Sequence, residues 1–303
     1  MKKDANNLAA CAIVNAGGGA WAFEEHAQHL AQVMQLEIGS SPAQYNYLLG
    51  WESTEPPSGK MFIPYKSILL ASDKRCMAEV FEKHGVAIPR TYLLDSPEQV
   101  QRVVERETGS RWVLKWPTGC GASGHRLQGA DNPIPKDWPR PYLLQEFIYL
   151  ENPEVYRLYC VAGETFGWNV RRFPPGAQYS PWVAHAQGAR YESVGTAPTE
   201  AERQARKALA ATGLLDSFGC ADLMQCSDDR WLVLEVNTDG ISSTVDRDIC
   251  VPGIAGAIDC RLAKAFWAQY LSVKEFCSEA VPLRNYNLSS PSYKGGSYVP
   301  RSS

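Results

Sequence analysis

The sequence predicts an α+β protein that opens with a small α/β N-terminal unit. Three observations carry this expectation. Helices with recognisable caps alternate with pairs of short apolar strands from residue 72 onward; a strand, glycine turn and helix start open the chain; and neither an internal repeat nor a membrane-length apolar run redirects the reading. At 303 residues, 45% hydrophobic and 21% charged, the chain can bury more than one core.

The elements follow in order. Residues 11–15 form a short apolar strand running into Gly17-Gly18-Gly19, and residues 21–34 carry Trp21, Leu30, Val33 and Met34 at helical spacing. The glycine triplet is read as a tight turn, because a phosphate fingerprint asks for the wider GxGxxG pattern. Residues 53–60, rich in Pro, Gly and Ser, form a loop, after which residues 61–63 return as a strand. A capped helix runs from Ser72-Asp73-Lys74 to a stop at Gly85. Ser96-Pro97-Glu98-Gln99 supplies a cap, a proline at the first helical position and a capping-box glutamine; Gly109 ends that helix before the strand 112–115. Residues 199–213 repeat the device, with Glu202 three positions after Thr199. Strand pairs fall at 142–148, 156–161 and 165–170, and at 221–225 turning through Ser227-Asp228-Asp229 into 231–236. The tail from about Leu288 is low in complexity and expected to be loose.

The totals bound the function. A net charge of -3 with a pI near 6.0 leaves no electrostatic footprint for a nucleic acid. Nine cysteines without a CxxC pair read as free thiols in a reducing compartment. Met1-Lys2-Lys3 is followed by Asp-Ala-Asn-Asn, which breaks any signal region, and no apolar run reaches about 18 residues. The expectation is a soluble cytoplasmic protein with no membrane partner. The five histidines are scattered; His26 and His29 share a helix face and read as solvated rather than as metal ligands.

Three segments could carry chemistry. After the strand ending in Lys115 comes a loop containing Gly119, Gly121, Ser123 and Gly124, whose backbone N-H groups and hydroxyl can face phosphates beside the lysine charge. An ordinary surface hairpin is the alternative. Asp222 on one strand and Glu235 and Asn237 on the next offer hard oxygens suited to Mg²⁺, and their apolar neighbours make unpaired charge there costly; strand-end acids facing solvent are the alternative. The strand Leu143-Leu144-Gln145-Glu146-Phe147-Ile148 is followed by Arg157, with Arg171 and Arg172 on a partner strand, so arginines converge on one hairpin and could clamp phosphoryl groups; a solvated basic edge is the alternative.

In this order and spacing, residues 72–266 resemble the ATP-grasp ligases, in particular the branch of the ribosomal-protein glutamate ligase and the peptide-ester ligases. The resemblance implies an ATP-grasp fold with units at 1–88 (N-terminal), 89–150 (lid subdomain), 151–282 (C-terminal subdomain) and 283–303 (tail). It implies that Lys74, Lys115 and the loop with Gly119, Gly121, Ser123 and Gly124 hold ATP phosphates. Gln145, Glu146, Phe147 and Ile148 would form the adenine hinge, the Glu side chain meeting the adenine amino group. Arg157 and Arg172 would be catalytic, and Asp222, Glu235 and Asn237 would bind Mg²⁺. The implied activity joins a carboxylate, activated as an acyl phosphate, to an amine or hydroxyl, releasing ADP and phosphate; a non-catalytic ATP-binding module and a phosphotransferase are the alternatives. The partner is an amino acid, small molecule or peptide, and the oligomeric state stays open, a dimer among the options. The chain departs from the pattern after Asn237, where Thr238-Asp239-Gly240 replaces a small residue, Pro and Gly, and at Val155, where the branch often has an acid. Trp21, Tyr45, Tyr47 and Trp51 are read as core, with a peptide-binding groove as the alternative.

Overall fold

The computed structural model describes residues 10–17, 21–51, 53–119, 121–122, 124–129, 131–239 and 254–271. They form three sheets. The first is parallel, with spatial order β2-β1-β3-β4, built from β1 (Cys11–Asn15), β2 (Ile38–Gly39), β3 (Tyr45–Leu49) and β4 (Lys60–Met61). Its middle strands are buried nearly throughout, as parallel strands covered on both faces must be. The one polar residue inside β3, Asn46, is satisfied by its surroundings: Oδ1 accepts from Ala43 N at 2.7 Å and Nδ2 donates to the carbonyls of Ala43, Ser58 and Lys60. Buried amides are tolerated when paired in this way. Helix α1 (Trp21–Met34) lays Ala27, Leu30 and Met34 on the sheet at helical spacing. Two short helices, α2 (Tyr65–Ser72) and α3 (Lys74–Lys83), follow.

The second sheet is antiparallel, with order β5-β8-β6-β7, and comprises β5 (Thr91–Leu94), β6 (Trp112–Lys115), β7 (His125–Gln128) and β8 (Tyr142–Glu146), with α4 (Pro97–Arg106) between β5 and β6. It has its own core of Val100, Val103, Trp112, Leu114, Trp138, Tyr142 and Leu144. The capping box expected for α4 is present: Ser96 Oγ accepts from Gln99 N at 3.3 Å, and Gln99 Oε1 accepts from Ser96 N at 3.2 Å.

The third sheet is antiparallel, with order β11-β10-β9-β12-β13, made of β9 (Val155–Val161), β10 (Glu164–Arg172), β11 (Arg190–Ser193), β12 (Phe218–Gln225) and β13 (Trp231–Asn237). Helix α5 (Thr199–Ala211) buries Ala201, Ala205, Ala208 and Leu209 along one stripe against it. Helix α6 (Ile254–Leu271) then returns to the first sheet. Its Phe266 ring meets Tyr45 edge-on at 4.8 Å, and Trp267 Nε1 donates to Met34 O at 3.1 Å. The first and third sheets therefore share one continuous core, in which Ile13, Tyr47, Phe62, Leu158, Val236 and Phe266 all take part.

Several local expectations are revised. Asp73, not Ser72, caps α3, accepting from Arg75 N at 2.8 Å, while Ser72 closes α2 by donating to Leu69 O. Helix α5 starts after Pro198 with no side-chain cap, and Glu202 instead accepts from Thr165 Oγ1 at 2.6 Å, pinning the helix to β10. The strand expected at 61–63 is the two-residue β4. Helices α2 and α6 and strands β2, β3, β5, β7 and β11 were not anticipated. The expected tail, 283–303, lies outside the described residues, as do Gly18 and Gly19 of the glycine triplet. The described cysteines are free thiols, and no described helix is long and apolar enough to cross a membrane.

Candidate active site

A cavity of about 1000 Å³ opens between the second and third sheets and runs on toward the first. Strand alternation determines what points into it. Across the third sheet, Arg157 faces Asp222 and Asp222 faces Glu235, so these side chains share one face, and Asn237 joins them two residues beyond Glu235. From the second sheet comes Lys115 at the end of β6, and from the start of α3 comes Lys74.

The lysines sit differently. Lys74 holds the glycine loop: its Nζ donates to Gly119 O at 2.7 Å and stands 3.8 Å from Glu235 Oε2, while its backbone N donates to Pro117 O at 2.8 Å. Burial pulls the Lys115 ammonium down to about 8; Glu235 draws it partly back and Lys74 lowers it further. His125, paired across the strands with Lys115, is lowered to about 3 by burial and by the two lysines, and is therefore neutral. Gly119 and Gly121 take φ of +86° and +67°, conformations that leave backbone N-H groups free to face an anion without a Cβ penalty. Gly124 also lines the cavity, and Ser123 lies outside the described residues.

Gln145, Glu146, Phe147 and Ile148 form one wall. Gln145 is buried and donates through Nε2 to Thr91 Oγ1 at 2.9 Å. Glu146 lines the cavity with its carboxylate already paired. Arg90 takes it in a two-pronged pair, Nε to Oε2 at 3.0 Å and Nη2 to Oε1 at 2.9 Å. Phe147 stands edge-on to Trp182 at 5.7 Å, and Trp182 in turn meets His125 at 5.3 Å, so one indole joins the hinge wall to the glycine-loop strand.

Two charged residues have partners that the sequence reading did not assign to them. Arg172 is not in the cavity; its Nη1 pairs with Glu154 at 2.9 Å and its Nε with Glu192 at 3.1 Å. Arg171 takes the inward position because β10 carries a bulge between Phe166 and Asn169, where Gly167 has φ +67°. The extra residue shifts the side-chain alternation by one, turning residue 171 rather than 172 toward Arg157. Asp222, whose burial was read as a reason for a metal, is already neutralised. Burial alone would raise its carboxyl, but Arg157 and Arg171 together hold it below the usual carboxylate range. Among the described residues no cluster of three His, Cys, Asp or Glu could hold a metal ion.

The sequence reading did not single out Tyr191 or Trp182, which line the cavity together with Asp239 of the departing Thr238-Asp239-Gly240 segment. Tyr191 on β11 faces Arg171 in register. Toward the first sheet, Trp51 lines the cavity with Nε1 buried and unpaired, and Asp239 Oδ1 accepts from Gly50 N at 3.4 Å. Tyr45 and Tyr47 belong to the core, and the Trp21 side chain lies outside the described residues. The only sequence sign for Tyr191 and Trp182 was an aromatic content that nothing local explained.

No protein-family model and no curated protein sequence matches the chain. Solved structures do. The ATP-grasp ligase PsnB, complexed with minimal precursor, Mg and ADP, matches with a TM-score of 0.61 at 13% identity, over 85% of this chain and 97% of PsnB. Macrocyclase MdnC from Microcystis aeruginosa MRC, bound with precursor peptide MdnA, matches with 0.58 at 14% identity, over 84% of this chain and 99% of its own. D-cycloserine synthetase DcsG matches with 0.61 at 15% identity, over 86% and 99%. At such identities the likeness is one of fold, and the chain has the ATP-grasp fold.

Proposed function

We propose that this protein is an ATP-dependent ligase that activates a carboxylate as an acyl phosphate and couples it to an amine, releasing ADP and phosphate. The observation that carries the reading is the convergence in one cavity of Lys74, Lys115, Arg157 and Arg171 with the glycine loop, beside Glu235 and Asn237. Cations from three separate chain segments meeting at a water-poor wall suit a transferring phosphoryl group.

In this reading the glycine loop and the two lysines hold the phosphates, and the backbone of Phe147 and Ile148 meets the base, since the Glu146 side chain is occupied by Arg90. Lys115 and Arg157 offset the charge that develops as the substrate carboxylate attacks the terminal phosphorus. Trp182 and the loop strand cover the reacting groups, and exclusion of water protects the acyl phosphate until the amine displaces phosphate. Little covalent chemistry falls to the protein, so positioning and charge carry the rate.

The donor set fits Mg²⁺ in part. Glu235 is 27% exposed, lies on the same strand face as Asn237, and offers hard oxygens where phosphates would add more. Bound there, the ion would supply Lewis-acid neutralisation of phosphate oxygens. Asp222 has fewer oxygen lone pairs to give, because two guanidiniums hold it.

The branch of the ribosomal-protein glutamate ligase remains the pattern proposed for this chain, with an amino acid or peptide as acceptor. Two structural neighbours are solved with a precursor or precursor peptide, which supports a peptide substrate. The testing experiment is product analysis with ATP, Mg²⁺ and a pool of amino acids and peptides, Lys115→Met serving as control. ADP, phosphate and a new condensed mass, absent in the variant, are expected. AMP with pyrophosphate, or a phosphorylated product without condensation, overturns the reading.

A further inference from the structure

The acid expected to bind metal is enclosed by guanidiniums. Arg157 donates to Asp222 twice, Nε to Oδ1 at 2.7 Å and Nη2 to Oδ2 at 2.9 Å, and Arg171 Nη2 reaches Oδ2 at 3.0 Å. The Asp222 side chain is 2% exposed. A carboxylate accepts at about four lone-pair sites, and the arginines use three of Asp222's. Tyr191 closes the far side: its hydroxyl accepts from Arg171 Nη1 at 3.0 Å, and its ring lies 5.4 Å from the Arg171 guanidinium and 5.8 Å from that of Arg157. Arg171 Nε is buried with no hydrogen-bond partner, a donor left over. Two fixed guanidiniums against one carboxylate leave a surplus positive charge at the cavity wall. Glu235 contrasts with this: it is partly exposed, and its contacts are Lys74 at 3.8 Å and the Asn237 amide at 3.4 Å.

We propose that Asp222 is a positioning residue, holding Arg157 and Arg171, with Tyr191 behind them, as a two-arginine platform for the phosphoryl oxyanion, and that the metal is left to Glu235 and Asn237. The proposal rests on the nucleotide-dependent ligase reading above. It follows from occupancy: a divalent ion at Asp222 would have to compete with three charge-assisted hydrogen bonds in a site closed to water, whereas at Glu235 it meets only long contacts.

The test uses the full chain, Mn²⁺ and ADP as probes, and inorganic phosphate added to the Mn²⁺-ADP complex. In Asp222→Asn the ratio of ADP affinity with and without Mn²⁺ stays within about threefold of wild type, while phosphate affinity of the complex falls by about tenfold or more. Tyr191→Phe shows the same split more weakly, and Glu235→Gln collapses the Mn²⁺ ratio. Loss of the Mn²⁺ ratio in Asp222→Asn, as in Glu235→Gln, overturns the proposal by making Asp222 a metal ligand. Unchanged phosphate affinity overturns it as well, by leaving Asp222 a purely structural role. If Asp222→Asn does not fold, the triple variant Arg157→Met, Asp222→Leu, Arg171→Met replaces the buried ion cluster with apolar side chains, a change such clusters tolerate, and the same two criteria apply to it. A wild-type protein that binds no ADP, with or without Mn²⁺, overturns the nucleotide reading itself and the proposal with it, a result distinct from either variant outcome.

Discussion

Lys115 carries its charge against a burial that pulls its pKa to about 8, well below the ordinary 10.5. The sign of the consequence follows from linkage. The ammonium is the form disfavoured by folding, so its burial costs stability below pH 8, and that cost is relieved as pH rises from 8 toward 10.5. Phosphate favours the ammonium, so the effect on binding is opposite: ADP affinity should fall by up to about tenfold per pH unit above 8, and Lys115→Met should flatten that slope in a calorimetric titration. His125, already neutral by pH 5, should add no inflection between pH 5 and 7. Asp222→Ala is expected to cost about 3–5 kcal/mol in denaturant unfolding, because it leaves two buried guanidiniums unpaired. The neighbouring arginines show what single residues in a sequence conceal. Residue type marked the hairpin as cationic, but only the bulge at Gly167 determines that Arg171 faces inward, and a bulge has no signature in the run Thr165-Phe166-Gly167-Trp168 beyond one glycine.

Helix α4 and strands β6 and β8 of the second sheet are the elements whose signals were strongest. The capping box at Ser96 and Gln99 was legible because it depends on residues three apart, and Ser96→Ala should remove about 1 kcal/mol from this unit. Hydrogen exchange should then quicken across residues 91–128 while the third sheet keeps its protection. Other elements were illegible for identifiable reasons. β7 follows directly on the glycine loop, and three of its residues are only partly buried or exposed, so no alternation stands out. β5 is partly buried along its whole length and shows no apolar and polar faces. The Thr199 and Glu202 pair mimicked a capping box, yet the acid was recruited by Thr165 on another strand, a tertiary contact that overrides the local pattern. The cavity was readable at the level of residue type and order, since lysine, glycine loop, arginine and acid recur along one line of sequence. It was less readable in partnership: that Arg90 takes Glu146 and that two arginines take Asp222 are contacts between residues 51 to 65 positions apart.

At the scale of the molecule, the second sheet has a core of its own while the first and third share one, with α6 between them. This arrangement predicts two cooperative units that do not follow the order of the chain. Phe266 is fully buried, touches Tyr45 at 4.8 Å and Phe62 at 6.0 Å from the first sheet's side, and belongs to the core that also holds Leu158 and Val236 of the third. Phe266→Ala should therefore destabilise both sheets together, by about 3–5 kcal/mol, since the cavity it leaves is lined from both sides. Leu144→Ala, in the core of the second sheet, should cost about 2–5 kcal/mol but confine its effect to residues 91–146. Hydrogen exchange resolved along the chain separates the two cases. Phe266→Ala should raise exchange in β1, β3, β9 and β12 in parallel, with β6 and β8 unchanged; Leu144→Ala should do the reverse. If Phe266→Ala instead loosened the first sheet alone, the shared core would be two cores in contact, and the cavity's inner end, where Trp51 and Asp239 stand, would move independently of the wall that carries Arg157 and Glu235. A common core makes that inner end rigid with the wall that carries Arg157 and Glu235, leaving the second sheet as the unit free to open over the proposed nucleotide site.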